Sequence, residues 1–367
     1  MPQNNKTLEK APPHTIKKFE LIEEYVKAWA QKLLNLPLCS EIVFIDCMCN
    51  SGLYQDEIGR EVHGTPIRVA TYLSDIMKNY PNKKCMLFLN DIDGSKIDVL
   101  AKHLPCNAAN FFIKTSSGDG NKLLKAIGNK LSPKSETHYL LVYDPYQAVI
   151  DWEALSPFLK HWGEIIINHM VSDSIRGVSQ AKKDAVIDKY EQTYRTEIEE
   201  LIALGSDRNA FEKRIKDIIA VLKGATSRKY YIGSFPFFNT TNNLIYNLIH
   251  CSGSEVGFNL YKTTAWKVFG GKSSTKKSKN IDGQLSFGME FEIELASDND
   301  ENCYSVSDIA IYLSATYKGQ TVKLSDMWQH LYEHPVFPVD GYKNEVKKLL
   351  KDFYNVSTTK DTITFND

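Results

Sequence analysis

Four carboxylates recur at equivalent places, each just beyond a short apolar run: Asp46 after Ile42–Ile45, Asp91 after Met86–Leu89, Asp119 after Phe111–Ile113, and Asp144 after Tyr139–Tyr143. A fifth run, Ile165–Ile167, ends at Asn168 and His169. An ionised carboxylate only accepts hydrogen bonds, so at a strand end it suits a ligand that donates. Asp91 can accept from both hydroxyls of a ribose, and its place at the strand end favours it over Asp93. Asp119, in the turn Ser117–Gly120, can accept from an exocyclic adenine amine. Asp144 belongs to the triplet Asp144-Pro145-Tyr146. There a carboxylate and a proline-fixed carbonyl can accept from an amino group, and an aromatic ring can stack on a planar one. Turns favour Asp in any case. One such residue would mean little, but the ordered set argues for a ligand crevice.

The loop after the first run reads Asp46-Cys47-Met48-Cys49-Asn50-Ser51-Gly52. Small residues and a glycine let backbone N–H groups approach a ligand closely. The loop is not G-x-G-x-x-G and carries no P-loop lysine. Nucleotide triphosphate hydrolysis is therefore disfavoured, and a nicotinamide-dependent oxidoreductase is the least favoured enzyme.

These residues need a sheet to hold them. The apolar runs are short and rich in β-branched and aromatic residues, as buried strands are. Helix-like stretches lie between them at Pro66–Lys78, Ser95–His103 and Asn121–Lys130, and Ile16–Leu34 before them has apolar residues at helical spacing. Alternation of this kind predicts an α/β fold with an open, mostly parallel sheet and helices on both faces. In such sheets ligands bind outside the carboxyl ends of the strands.

Beyond residue 172 the pattern changes. Ser179–Leu204 and Arg208–Lys223 read as charged amphipathic helices, and Tyr230–Phe238 and Leu244–Ile249 read as an antiparallel hairpin. A Gly/Ser/Lys stretch, Gly270–Asn280, marks a boundary. After it come strand-like Leu285–Leu295, helical pieces at Leu324–Tyr332 and Tyr342–Phe353, and strand-like Val356–Phe365. The expected organisation is a core over 1–172, a helical insert over 173–229, final core strands over 230–270, and a linker with a small C-terminal α+β module over 271–367.

Of 367 residues, 44 are Lys or Arg and 45 are Asp or Glu. A whole-surface basic field is thus excluded, though local patches are not. Lys213, Arg214 and Lys216 in the second insert helix, and Lys276 and Lys277 in the linker, are the candidate phosphate contacts. The seven cysteines are odd in number and scattered, which predicts reduced thiols and a cytoplasmic location. His and Cys lack metal-ligand spacing, so no metal is expected. No run is long enough to cross a bilayer, and the polar N-terminus does not read as a signal peptide.

The order of these motifs resembles Class I S-adenosylmethionine-dependent methyltransferases. More narrowly, the chain resembles the three-Cys-motif partner protein family. His14–Trp29, Phe44–Tyr54, Gly64–Pro66, Asp144–Trp152 and Leu244–Ser252 carry that likeness, which runs from about His14 to Gly270. The resemblance implies a Rossmann-like methyltransferase sheet of seven strands, with S-adenosylmethionine over the first and second. Asp46, Cys47, Ser51 and Gly52 would hold its methionine end, Asp91 the ribose and Asp119 the adenine. Asp144, Pro145 and Tyr146 would face the acceptor. It further implies a partner bearing a cysteine motif and a winged-helix-like C-terminal module.

The sequence departs from that family at two points. Asn50 stands where the loop usually has a glycine, although Asn tolerates a left-handed backbone better than most residues. The triplet also lacks the second proline of the Asp-Pro-Pro-Tyr motif of amino-methyltransferases. The leading expectation is methyl transfer to nucleic acid, with a base amino group as acceptor. The alternative is a non-catalytic or repurposed partner module that binds a cysteine-motif protein or nucleic acid.

Overall fold

The computed structural model describes residues 8–131, 136–145, 147–160, 163–181, 183–204, 208–225, 229–276 and 303–366. The elements begin with β1 (Glu9–Lys10), α1 (Pro13–Leu34), β2 (Glu41–Asp46), β3 (Leu53–Gln55), β4 (Glu61–His63), α2 (Thr65–Ile76), β5 (Lys84–Asp91), α3 (Gly94–Ala101), β6 (Phe111–Ser117) and α4 (Gly120–Lys130). Then come β7 (Thr137–Tyr143), α5 (Trp152–Leu155), β8 (Gly163–His169), α6 (Val171–Gln180), α7 (Asp184–Tyr194), α8 (Ile198–Ala203), α9 (Arg208–Gly224), β9 (Tyr231–Phe238), β10 (Leu244–Ser252) and α10 (Glu255–Val268). The C-terminal module comprises α11 (Val306–Thr316), β11 (Thr321–Lys323), α12 (Leu324–Glu333), α13 (Lys343–Phe353), β12 (Val356–Thr358) and β13 (Thr362–Phe365).

The central sheet has seven strands in the order β6-β5-β2-β7-β8-β10-β9. The first five are mutually parallel, while β10 runs antiparallel to both β8 and β9. The chain leaves β2 toward β5 on one side and later returns to β7 on the other. The topological switch point therefore lies between β2 and β7, and in sheets of this kind the ligand crevice is expected at their carboxyl ends.

Side-chain alternation sends Ile42 and Phe44 to one face of β2 and Val43 and Ile45 to the other. The first face is covered by α1, α2, α3 and α10, the second by α4, α5 and the insert helices α7 to α9. In α1 the buried residues Lys18, Ile22, Tyr25 and Trp29 form one stripe at helical spacing. Each fully buried apolar side chain there contributes about 1.5–3 kcal/mol. Tyr25 donates its hydroxyl to Glu164 at the amino edge of β8, and His250 Nε2 lies 2.6 Å from the same carboxylate. That polar cluster fixes α1 across β8 and β10, with its first turns at the opposite, carboxyl edge.

The expected long helix Ser179–Leu204 is two helices. Arg195 adopts a left-handed conformation, φ 54°, and ends α7 before α8 begins. The expected strand Val356–Phe365 is a hairpin of β12 and β13, and β13 also pairs with β11. The expected strand Leu285–Leu295 lies outside the described residues. Among the described residues no helix is long and apolar enough to cross a membrane.

Candidate functional site

The loop after β2 is shaped by two left-handed residues, Asn50 at φ 58° and Gly52 at φ 70°. Asn50 therefore adopts the left-handed conformation for which a glycine is the usual residue. Its side chain reinforces the turn, because Oδ1 accepts from Ser51 N at 2.5 Å and Nδ2 donates to Glu9 at 2.8 Å. Gly52 is confined as well as left-handed, since a Cβ there would lie 2.9 Å from Ile67 and Leu100. The Ser51 hydroxyl donates to Leu53 O at 3.1 Å. The Cys47 thiol points into the core, where burial pushes its pKa up. What Cys47 offers the loop is its carbonyl, which accepts from Asn90 Nδ2 at 3.0 Å.

Asp46, at the tip of β2, is 3% exposed. Its carboxylate accepts from Met48 N at 3.3 Å. Burial raises its pKa to about 7, the charges of Asp144 and Asp91 push it the same way, and Lys18 opposes them. Asp91, half-buried at the tip of β5, accepts from Asn50 N at 2.9 Å and Asp93 N at 3.0 Å. Two lone pairs on its carboxylate remain for a ligand. The structure thus gathers Asp46, Asp91 and Asp144 around the switch point. Asp119 is exposed and is the N-cap of α4, where it accepts from Lys122 N at 3.1 Å, and its neighbour Gly118 donates to Asp91 O at 3.0 Å, so it stands beside the tip of β5.

Asp144, at the tip of β7, accepts from Lys18 Nζ at 2.7 Å and from Asn168 Nδ2 at 2.6 Å. Pro145 is buried behind it. Tyr146 lies outside the described residues. The Lys18 ammonium also sits 5.3 Å from the centre of the Tyr246 ring, whose hydroxyl donates to His14 O at 2.8 Å. Asn168 is 2% exposed, and its buried Oδ1 has no hydrogen-bond partner.

Sequence reasoning missed Lys18, Asn168 and Tyr246. A signal for Lys18 existed: a lysine on the otherwise apolar stripe of α1. It also missed Asn90, whose side chain links the tips of β2, β5 and β6 by donating to Cys47 O and Gly118 O and accepting from Ser116.

The expected phosphate-contacting face changes. Arg214 is 1% exposed and donates from Nη2 to Leu201 O at 2.9 Å. It ties α9 to α8 inside the protein and presents no charge to a ligand. Lys213 is exposed and paired with Asp217 at 3.2 Å, and Lys216 is exposed on the same helix. Lys276 lies 5.5 Å from the Phe238 ring centre, and Lys277 lies outside the described residues. His169 is a core histidine. It meets the Tyr194 hydroxyl at 3.0 Å, and burial with Arg214 nearby lowers its pKa to about 3. Glu191, Glu197 and Glu199 bring carboxylate oxygens within 4.8 Å of one another on the insert.

No protein-family model matches the chain. No curated protein matches it either. Solved structures do overlap it. One is a Legionella pneumophila protein, with 11% identity over 69% of this chain and 91% of that one and a TM-score of 0.39. Another is human methyltransferase-like protein 13 in complex with SAH, with 9% identity over 76% and 99% and a TM-score of 0.32. A third is a Bacillus cereus O-methyltransferase in complex with SAH, with 11% identity over 63% and 80% and a TM-score of 0.33.

Proposed function

We propose that the protein is an S-adenosylmethionine-dependent methyltransferase whose acceptor is an amino group, with nucleic acid as the substrate class. The observation that carries this reading is the placement of Asp46, Asp91 and Asp144 at one switch-point crevice. The residues fit the cofactor. Asp46 has a buried carboxylate with one long hydrogen bond, able to take the methionine ammonium. Asp91 keeps acceptor capacity for the ribose hydroxyls. The left-handed turn at Asn50 and Gly52 holds the loop close to both.

S-adenosylmethionine, when bound, supplies a methyl group on a positively charged sulfur. The chain's own contribution is placement and charge. Asp46 and Asp91, at the tips of β2 and β5, would hold the cofactor. Asp144 and Asn168 offer acceptor oxygens at the tips of β7 and β8, where an amine could be held by its N–H groups. The negative crevice favours a cationic ligand, and positioning of the two reactants supplies much of the rate. A cysteine-motif protein remains the proposed partner, on the resemblance alone.

Titration calorimetry tests the reading. S-adenosylmethionine should bind the wild type, and Asp91→Ala should weaken binding at least tenfold by removing two charge-assisted hydrogen bonds, worth about 1.5–3 kcal/mol each. Absence of binding to the wild type would sink the catalytic reading and favour the partner-module one.

A further inference from the structure

Lys18 occupies the place where the acceptor is expected. It reaches from the first turns of α1, and its side chain is 11% exposed. Its ammonium lies 2.7 Å from Asp144 Oδ2 and 5.3 Å from the Tyr246 ring centre. It is also close enough to Asp46 to oppose that group's raised pKa. One amine thus neighbours both the carboxylate assigned to the acceptor, at the tip of β7, and the one assigned to the cofactor, at the tip of β2. Carboxylate on one side and an aromatic face on another are how a binding site holds a substrate ammonium. Asn168 completes the placement by holding the other Asp144 oxygen at 2.6 Å. α1 is in turn anchored two turns further on by Tyr25 on Glu164.

We propose that Lys18 is a self-methylation site, an internal acceptor that the protein's own methyl-transfer site modifies. This rests on the proposed methyltransferase function. The ammonium first gives a proton to Asp144 Oδ2, which passes it to solvent. The freed lone pair forms the new N–C bond as the S–C bond of the sulfonium breaks. The positive charge moves from sulfur to the methylated nitrogen, and the thioether departs. Only the neutral amine carries the lone pair that attacks, so the reaction speeds up as the pH rises. The modified lysine keeps its charge and its hold on the Tyr246 ring.

Two measurements test the idea. Without cofactor, reductive methylation by formaldehyde and borohydride should spare Lys18 in the wild type, where it is buried and held on Asp144, and label it in Asp144→Asn, where it is released to the reagent. With trideuteromethyl S-adenosylmethionine, peptide mass spectrometry should find that label on Lys18. The increment should grow with pH, vanish in Lys18→Arg, and drop at least tenfold in Asp144→Asn, which releases the amine but no longer positions it or takes its proton. Calorimetry on the same samples separates the failures. Binding of the cofactor with Lys18 unmodified would overturn the self-methylation site alone, as would rapid formaldehyde labelling of wild-type Lys18. No binding would overturn the methyltransferase reading and this inference with it.

Discussion

Asp46 is held where an isolated protein gains least from it. A carboxyl group at 3% exposure with one 3.3 Å hydrogen bond, facing two like charges, is costly to ionise. Its folded pKa of about 7 lies above the unfolded value of about 3.9. The folded state therefore binds more protons between those values, and stability falls as pH rises through that window. Asp46→Asn keeps the volume and the oxygen that accepts from Met48 N. It should stabilise the protein at pH 8 by on the order of 1–4 kcal/mol, the gain shrinking toward pH 4. Urea midpoints at pH 5 and pH 8 measure this, and equal midpoints for variant and wild type at pH 8 would show a solvated carboxylate. The same variant should bind cofactor poorly, a trade of stability for function. Asp46, Asp91 and Asp144 were legible in the sequence because an acidic residue at the end of an apolar run has only the crevice to face. Asp119 shares that pattern and also caps α4 through Oδ1, since Asp suits both tasks. Lys18 left only the signal of a lysine on an apolar stripe and Asn168 left none, because the packing of α1 against the strand tips decides which side chains meet there.

Among the elements, α10 does the most to join the C-terminal module to the core. Asn259, Lys262, Thr263 and Trp266 lie on one stripe and engage the segment 331–340. Asn259 donates to Asp340 at 2.7 Å, and Trp266 donates to Val336 O at 3.1 Å. Lys262 Nζ donates to Tyr332 O at 2.9 Å and His334 O at 2.8 Å, a cation at the C-terminus of α12. Burial lowers the Lys262 pKa to about 7, against the attraction of Glu255 and Asp340. Here the unfolded state binds more protons, from about pH 7 up to the ordinary lysine value of about 10.4, so stability rises with pH across that window. In Lys262→Met this rise should disappear, and the buried carbonyls left without a donor should cost about 1–3 kcal/mol. Guanidinium midpoints at pH 7 and pH 9.5 test both points, and a rise that persists in the variant would assign it to another group. The strands and helices of the core were readable from period and length. This docking was not, because a stripe that binds main chain looks in sequence like any amphipathic helix. Arg214 was misplaced for a related reason, as charge on a helix does not say which face it occupies.

At the scale of the whole molecule, a net charge of -1 conceals an unequal distribution. Acid gathers at the crevice, while exposed lysines lie on α9 and α13. The last arginine in the chain is Arg228, so every basic side chain of the C-terminal module is a lysine or histidine. Lysine is a point charge suited to phosphate, whereas bidentate reading of base edges favours arginine. Nucleic acid at this protein should therefore be held by its backbone, with sequence choice left to the crevice. That expectation has a measurable form, because each neutralised phosphate contributes about 0.9 to the slope of log affinity against log salt. Replacing Lys213 and Lys216 by Glu should flatten the slope by about 2 and weaken binding alike for unrelated sequences. Lys348→Glu with Lys351→Glu, both exposed on α13, should do the same. Fluorescence anisotropy over a salt series reads both effects. If neither pair alters the slope, these lysines are a solvated surface balancing the acidic crevice. The acceptor amine would then have to come from a protein or a small molecule, a class that the crevice charge accommodates equally well.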